Sequence, residues 1–121
     1  MLKIKNNDIY LTRGDEATIN ISVPLDDGTN YVFQTNDVVY FTVKKKYSDT
    51  SPILRKEIHF AQETEVAVLN LTKSDTTLGG LKDVPIKYVY DISINAVKTI
   101  IGYDEDGAKY FVIYPEASDD E

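Results

Sequence analysis

Ala17-Thr18-Ile19-Asn20-Ile21-Ser22-Val23 alternates apolar and polar residues without a break. Ala17, Ile19, Ile21 and Val23 fall on one face and Thr18, Asn20 and Ser22 on the other, which is the signature of a strand with one side in a core and one in water. The same period recurs along the chain. Val38 to Lys44 buries Val39, Phe41 and Val43 behind Tyr40 and Thr42; Ile53 to Phe60 and Glu65 to Leu71 follow. Ile86 to Asn95 sets Tyr88, Tyr90, Ile92 and Ile94 against Val89, Asp91 and Ser93, and Lys98 to Tyr103 and Lys109 to Tyr114 close the series. With short N-terminal segments at Leu2 to Ile4 and Ile9 to Leu11, the count is seven to nine strands. No long window sustains helical spacing.

Turn residues separate these runs at hairpin distances. Asp26-Asp27-Gly28 follows the strand that ends near Val23, and Glu105-Asp106-Gly107 is read as the hairpin between the last two strands. Thr72-Lys73-Ser74-Asp75, closed by Gly79-Gly80, allows at most a single helical turn. Many short strands with no helices between them predict an all-β antiparallel sandwich. Leu69-Asn70-Leu71, Asp75-Thr76 and then Tyr88-Val89-Tyr90-Asp91-Ile92 have the order of an E strand, its corner and an F strand carrying a tyrosine. This predicts an immunoglobulin-like arrangement, with Gly79 to Pro85 inserted at the corner. One domain is expected over residues 1–114, followed by an acidic, flexible tail over 115–121.

The chain has 121 residues, enough for one core, and its 42% apolar and 27% charged content is that of an ordinary folded domain. Thirteen Lys and Arg face twenty Asp and Glu, a net charge of -7 that argues against nucleic acid as a partner. The excess is local. Glu116, Asp119, Asp120 and Glu121 in the tail and Asp104, Glu105 and Asp106 in one turn account for all of it, and the rest of the chain is neutral. There is no Cys, so disulfides, thiolate nucleophiles and iron–sulfur ligation are excluded, and one His, His59, cannot make a His-rich metal site. Met1 to Tyr10 has no apolar run of signal-peptide or membrane-spanning length, so synthesis and folding in a cytoplasm are expected.

Each chemically suggestive group has a plainer reading beside it. Arg13-Gly14-Asp15 is the tripeptide of integrin ligands, yet Gly between charged residues is also what a strand-to-strand turn asks for, and that reading is the stronger. Asp104-Glu105-Asp106-Gly107 resembles the start of a calcium loop, but the ligands that should follow are Ala108, Lys109, Tyr110 and Phe111, so a solvated turn is expected and no metal. His59 faces away from Ile58 and Phe60 with no nucleophile beside it. No carboxylate pair is selected by spacing, and no enzyme activity or cofactor is expected. Lys44, Lys45 and Lys46, joined by Arg55 and Lys56, form a basic stretch that opposes the acidic second half. Tyr88 and Tyr90 are assigned to the core; Tyr31, Tyr40, Tyr47, Tyr103 and Tyr110 are candidates for an interface because flat rings bury area at low entropic cost.

The run from Ile9 to Thr18, Val38 to Lys45, Leu69-x-Leu71-Thr72-x-x-Asp75-Thr76, Tyr88-x-Tyr90-Asp91-Ile92, Thr99-Ile100-Ile101 and Phe111-x-Ile113, in this order and separation, resemble the N-terminal domain of phage baseplate upper proteins from Gram-positive hosts and their prophages. The resemblance spans nearly the whole chain. It implies a non-enzymatic β-sandwich module of a virion tail or baseplate, made in the bacterial host cytoplasm. Its partners would be other tail or baseplate proteins and further copies of itself, without nucleic acid or membrane, and Arg13-Gly14-Asp15 would be a turn. The family domain heads longer proteins that carry receptor-binding or trimerising parts, whereas this chain stops at Glu121, so an anchoring or adaptor role is expected. A carbohydrate-binding or adhesion module on the same scaffold is the alternative, which the absence of Trp disfavours.

Overall fold

The structure, a computed structural model, describes residues 1–80 and 83–117. Nine strands and no helix are found among them: β1 (Leu2–Lys5), β2 (Asp8–Thr12), β3 (Ala17–Ile21), β4 (Val38–Lys44), β5 (Leu54–His59), β6 (Ala67–Leu71), β7 (Ile86–Ile94), β8 (Lys98–Ile101) and β9 (Tyr110–Tyr114). Sheet A has seven strands in the order β1-β2-β9-β7-β4-β5, with β8 also on β7; sheet B is the pair β3-β6. The alternation quoted above is borne out at atomic level. Ile19 and Ile21 are buried beside Leu69 and Ala67 of β6, while Thr18 and Asn20 face solvent.

Both sheets turn their apolar residues toward one shared core. Phe41 of β4 lies at its centre, fully buried, with the Tyr90 ring at 5.5 Å and the Phe111 ring edge-on at 5.7 Å. Tyr88 and Tyr90 are core residues, as the alternation of β7 requires. A second aromatic group closes one end, where Phe33 stacks on Phe60 at 4.9 Å and meets Tyr31 edge-on at 5.3 Å.

Two expectations are corrected. The strands are not all antiparallel, because β2 runs parallel to β9, pairing Ile9 with Phe111 and Leu11 with Ile113. Parallel neighbours need a long crossover, and here nearly the whole chain between β2 and β9 supplies it, so adjacent sequence gives no hint of the pairing. Glu105-Asp106-Gly107 does not make a hairpin between β8 and β9 either. Both strands pair with the same edge of β7, β8 along Ile92–Ile94 and β9 along Ile86–Val89. Residues 104–107 instead fold back on themselves through hydrogen bonds between Asp104 and Gly107. The Thr72–Asp75 turn, by contrast, is the single turn expected. Thr72 N donates to Asp75 Oδ2 at 2.9 Å and Asp75 N donates to Thr72 Oγ1 at 3.2 Å, a reciprocal cap.

The tight hairpins use asparagine where glycine is the commoner solution. Asn6-Asn7 joins β1 to β2 and Asn95-Ala96 joins β7 to β8, each with both residues at positive φ, the conformation of a type I′ turn. Asn tolerates the left-handed region; Ala96, at φ 57°, does not gain that relief. Ala96→Gly is therefore expected to stabilise the fold by about 0.5–1 kcal/mol, read as a rise in the urea midpoint at unchanged slope.

Candidate functional site: the outward face of sheet A

The registers of sheet A fix which residues point away from the core. On β1, β2 and β9 these are Lys3, Lys5, Asp8, Tyr10, Thr12, Tyr110, Val112 and Tyr114; on β7, Lys87, Val89, Asp91 and Ser93; on β4 and β5, Val38, Tyr40, Thr42, Lys44, Arg55, Glu57 and His59. Tyr40 and Tyr110, two of the interface candidates, lie there. Each carries a cation on its ring: the Arg55 guanidinium is 4.4 Å from the Tyr40 centroid, and Lys87 Nζ is 4.1 Å from that of Tyr110. Tyr10 and Tyr114, which the sequence reading missed, stack on the same face at 6.2 Å with a 24° interplanar angle. Their signal was present: Tyr10 alternates with Ile9 and Leu11, and Tyr114 follows Ile113.

Near the middle of this face sits Asp91, opposite Thr42, which in turn pairs with Arg55. Burial pushes its carboxyl above the usual carboxylate range, against the pull of Lys44 and Arg55. Gly102 packs over its Cβ where β8 leaves β7. A carboxyl whose folded pKa is raised is stabilising when protonated, so its ionised form at neutral pH costs stability. Asp91→Asn is expected to raise the melting temperature slightly at pH 7 and to leave it unchanged at acid pH, below both pKa values. A melting curve at each pH reads the difference.

Other interface candidates are tied into the fold. Tyr47 inserts its hydroxyl into the gap between β7 and β9, donating to Tyr90 O at 2.8 Å and accepting from Lys109 N at 3.1 Å. Burial raises its pKa. Tyr47→Phe leaves the ring in place but orphans these backbone groups, with an expected loss of about 1–2 kcal/mol by chemical denaturation. Tyr31 donates to Asp37 Oδ2 at 2.8 Å and packs on Phe33. Tyr103 is 69% exposed and edge-on to Tyr47, at a corner rather than on the face.

The basic stretch is not one patch. Lys44 Nζ donates to Asp49 O at 2.8 Å, Lys45 and Lys46 are exposed beyond the end of β4, and Arg55 lies outward on Tyr40. Lys56, next along β5, turns inward to Asp75 at 2.7 Å. Burial would raise the Asp75 pKa, but the hydrogen bonds from Lys56 and Thr72 prevail and hold it low. Alternation along a strand puts neighbouring cations on opposite faces, which a count along the sequence cannot show.

Arg13-Gly14-Asp15 is a turn held from all sides. Arg13 Nη1 is 2.7 Å from Glu116 Oε1, Gly14 has φ 87°, and the Asp15 carbonyl accepts from Thr76 Oγ1 at 2.8 Å. An adhesive tripeptide needs an exposed arginine, and this one is only 14% exposed. Glu116 is thus part of the folded body rather than of a loose tail; residues 118–121 lie outside those described. In the other acidic element, Asp104 Oδ1 accepts from Lys109 Nζ at 2.7 Å and Asp106 N at 2.9 Å, and the Lys109 bond draws its pKa down and that of Lys109 up. These residues line a polar groove of about 630 Å³ with Asn6, Asn7 and Asp8. Among the described residues no three His, Asp or Glu side chains are placed to hold a metal ion. His59 and Glu57, both exposed, meet at 3.0 Å.

Comparison with known proteins returns no match: no protein-family model, curated protein or solved structure is significantly similar to the chain.

Proposed function

We propose that the protein is a non-enzymatic structural module of a phage or prophage tail or baseplate, acting as an assembly or adaptor piece that docks through the outward face of sheet A. The observation that carries the docking part is that face itself. It carries four tyrosines, two of them capped by cations and two stacked on each other, and flat rings of this kind bury area at low entropic cost. The virion part rests on the sequence resemblance described above.

The strand order supports an immunoglobulin-like sandwich. β4, β7 and the β8–β9 pair correspond to C, F and G, β5 to C′, and β3 and β6 to B and E. On this reading β8 and β9 are the two halves of a G strand interrupted at residues 102–109; residues 81 and 82, within the expected insertion at Gly79 to Pro85, lie outside the described residues.

Mass spectrometry of purified particles, together with sedimentation at high protein concentration, tests the proposal. Presence in the particles and self-association or co-sedimentation with another tail protein are expected. A strictly monomeric protein that is absent from particles contradicts it. The alternative, a carbohydrate-binding or adhesion module, draws on the same exposed aromatics; a glycan array without hits removes it.

A further inference from the structure

β1 is an edge strand with its apolar side uncovered. Among the described residues its one strand neighbour is β2, all four of its residues are exposed, and Leu2 and Ile4 remain 40% and 48% accessible although they point to the core side of sheet A. The cause lies in the widths of the layers. Sheet B has two strands against the seven of sheet A, and among the described residues the strand in extensive contact with β1 is β2 alone.

The hairpin register says what that edge offers. The two-residue Asn6-Asn7 loop closes on the pair Lys5–Asp8, and such a loop closes on a hydrogen-bonded pair. In the alternation of an antiparallel ladder, Lys5 and Lys3 then spend their backbone groups on β2, while Ile4 and Leu2 turn N–H and C=O outward. The open edge therefore presents two backbone donors and two acceptors on the residues whose side chains are apolar, with Lys3 and Lys5 beside them on the opposite face.

We propose that this edge is a docking strip for an extended segment of a partner protein that alternates acidic and apolar residues. Opposite Leu2 and Ile4 the incoming strand places apolar side chains, which cover the exposed strip; opposite Lys3 and Lys5 it places Asp or Glu. A second copy of β1 does not fit. A two-fold pairing that joins the free groups of Leu2 to those of Ile4 sets Lys3 against its own equivalent, and a shift by one register step sets Lys3 against Lys5. Lysines on an edge discourage self-pairing and leave the strand selective for the opposite charge. The proposal deepens the assembly reading and rests on it only for the expectation that the partner is a protein.

The test uses an octapeptide alternating Glu and Val, capped at both ends, titrated into the ¹⁵N-labelled protein. Saturable binding is expected, with shift changes centred on Leu2 to Lys5 and slowed exchange of the Leu2 and Ile4 amides. The same peptide with Lys in place of Glu is expected to give no such changes. Lys3→Glu/Lys5→Glu, confirmed folded by its melting curve, is expected to weaken binding about tenfold or more, since two attractive cross-strand pairs become repulsive. Affinity weaker than about 1 mM overturns the proposal, as does equal binding of the Lys peptide or a shift map centred elsewhere. A protein that fails here but is found in particles keeps the assembly role and loses the β1 strip. One that passes here but is absent from particles does the reverse.

Discussion

Asp37→Ala is expected to cost about 3 kcal/mol, which for a domain of this size lowers the melting temperature by roughly 10 °C. Asp37 is 6% exposed, and its carboxylate accepts from Gln34 N at 2.8 Å, Asn95 Nδ2 at 2.9 Å and Tyr31 Oη at 2.8 Å. Asn95 in turn accepts Val38 N on its Oδ1 at 2.8 Å and donates its own N–H to Val38 O at 2.7 Å. One side chain thus joins the entry to β4, the β7–β8 turn and the aromatic end of the core. Truncation leaves three donors unsatisfied, and hydrogen bonds to a charged acceptor carry about 1.5–3 kcal/mol each, partly recovered where water reaches the site. Because Asp37 and Asn95 act together, Asp37→Ala with Asn95→Gly should cost less than the two singly summed, by about 1 kcal/mol in a double-mutant cycle.

The same residue gives the pH dependence its sign. The hydrogen bond from Gln34 N, then that from Asn95, hold the Asp37 pKa below its ordinary value. A carboxyl depressed in the folded state contributes its stability above its unfolded pKa, roughly 3.9, and loses it as pH falls through the folded value. Wild-type stability should fall below about pH 4, and Asp37→Asn should flatten part of that slope.

Gly79→Ala is the second large loss, about 2–5 kcal/mol. At φ 78° a Cβ is strained by about 1–2 kcal/mol, and it would lie 2.6 Å from Ile86 Cδ1 and 2.7 Å from Tyr88 Oη. The Ile86 methyl can swing aside, but Tyr88 is 5% exposed and its ring is fixed in the core, so overpacking adds about 1–3 kcal/mol. Gly80 is the internal control. It has φ 72° with nothing within 4 Å of a Cβ, so Gly80→Ala should show the backbone cost alone, about 1–2 kcal/mol. Tyr88→Phe, by removing the hydroxyl, should recover part of the Gly79→Ala loss. Equal losses at the two glycines would contradict the contact.

Period-two alternation made the strands legible because each has one face in the core and the other in water. Val38–Lys44 was read to the residue, and Tyr88 and Tyr90 were placed in the core from their spacing alone. Pairing partners were not legible. The parallel union of β2 with β9 joins segments about a hundred residues apart, and nothing local in Ile9-Tyr10-Leu11 names Phe111 as its neighbour. The division of β7 between β8 and β9 was hidden for a similar reason, since Glu105-Asp106-Gly107 has hairpin chemistry whether or not its flanks pair.

For the candidate site, residue type alone did not separate the tyrosines, and their roles needed coordinates. Tyr47 and Tyr31 satisfy buried polar groups through their hydroxyls, whereas Tyr40, Tyr110, Tyr10 and Tyr114 lay their rings on a surface. A tyrosine's ring and hydroxyl serve either end, and only the register separates the two uses.

The most direct test of the assembly account is lysine cross-linking of purified tail particles read by mass spectrometry. Cross-links from the lysines on the outward face of sheet A, Lys3, Lys5, Lys44 and Lys87, to neighbouring tail proteins or further copies of this chain are the predicted result. Particles that contain the protein but show links only from residues off that face, or particles that lack it, would contradict the account.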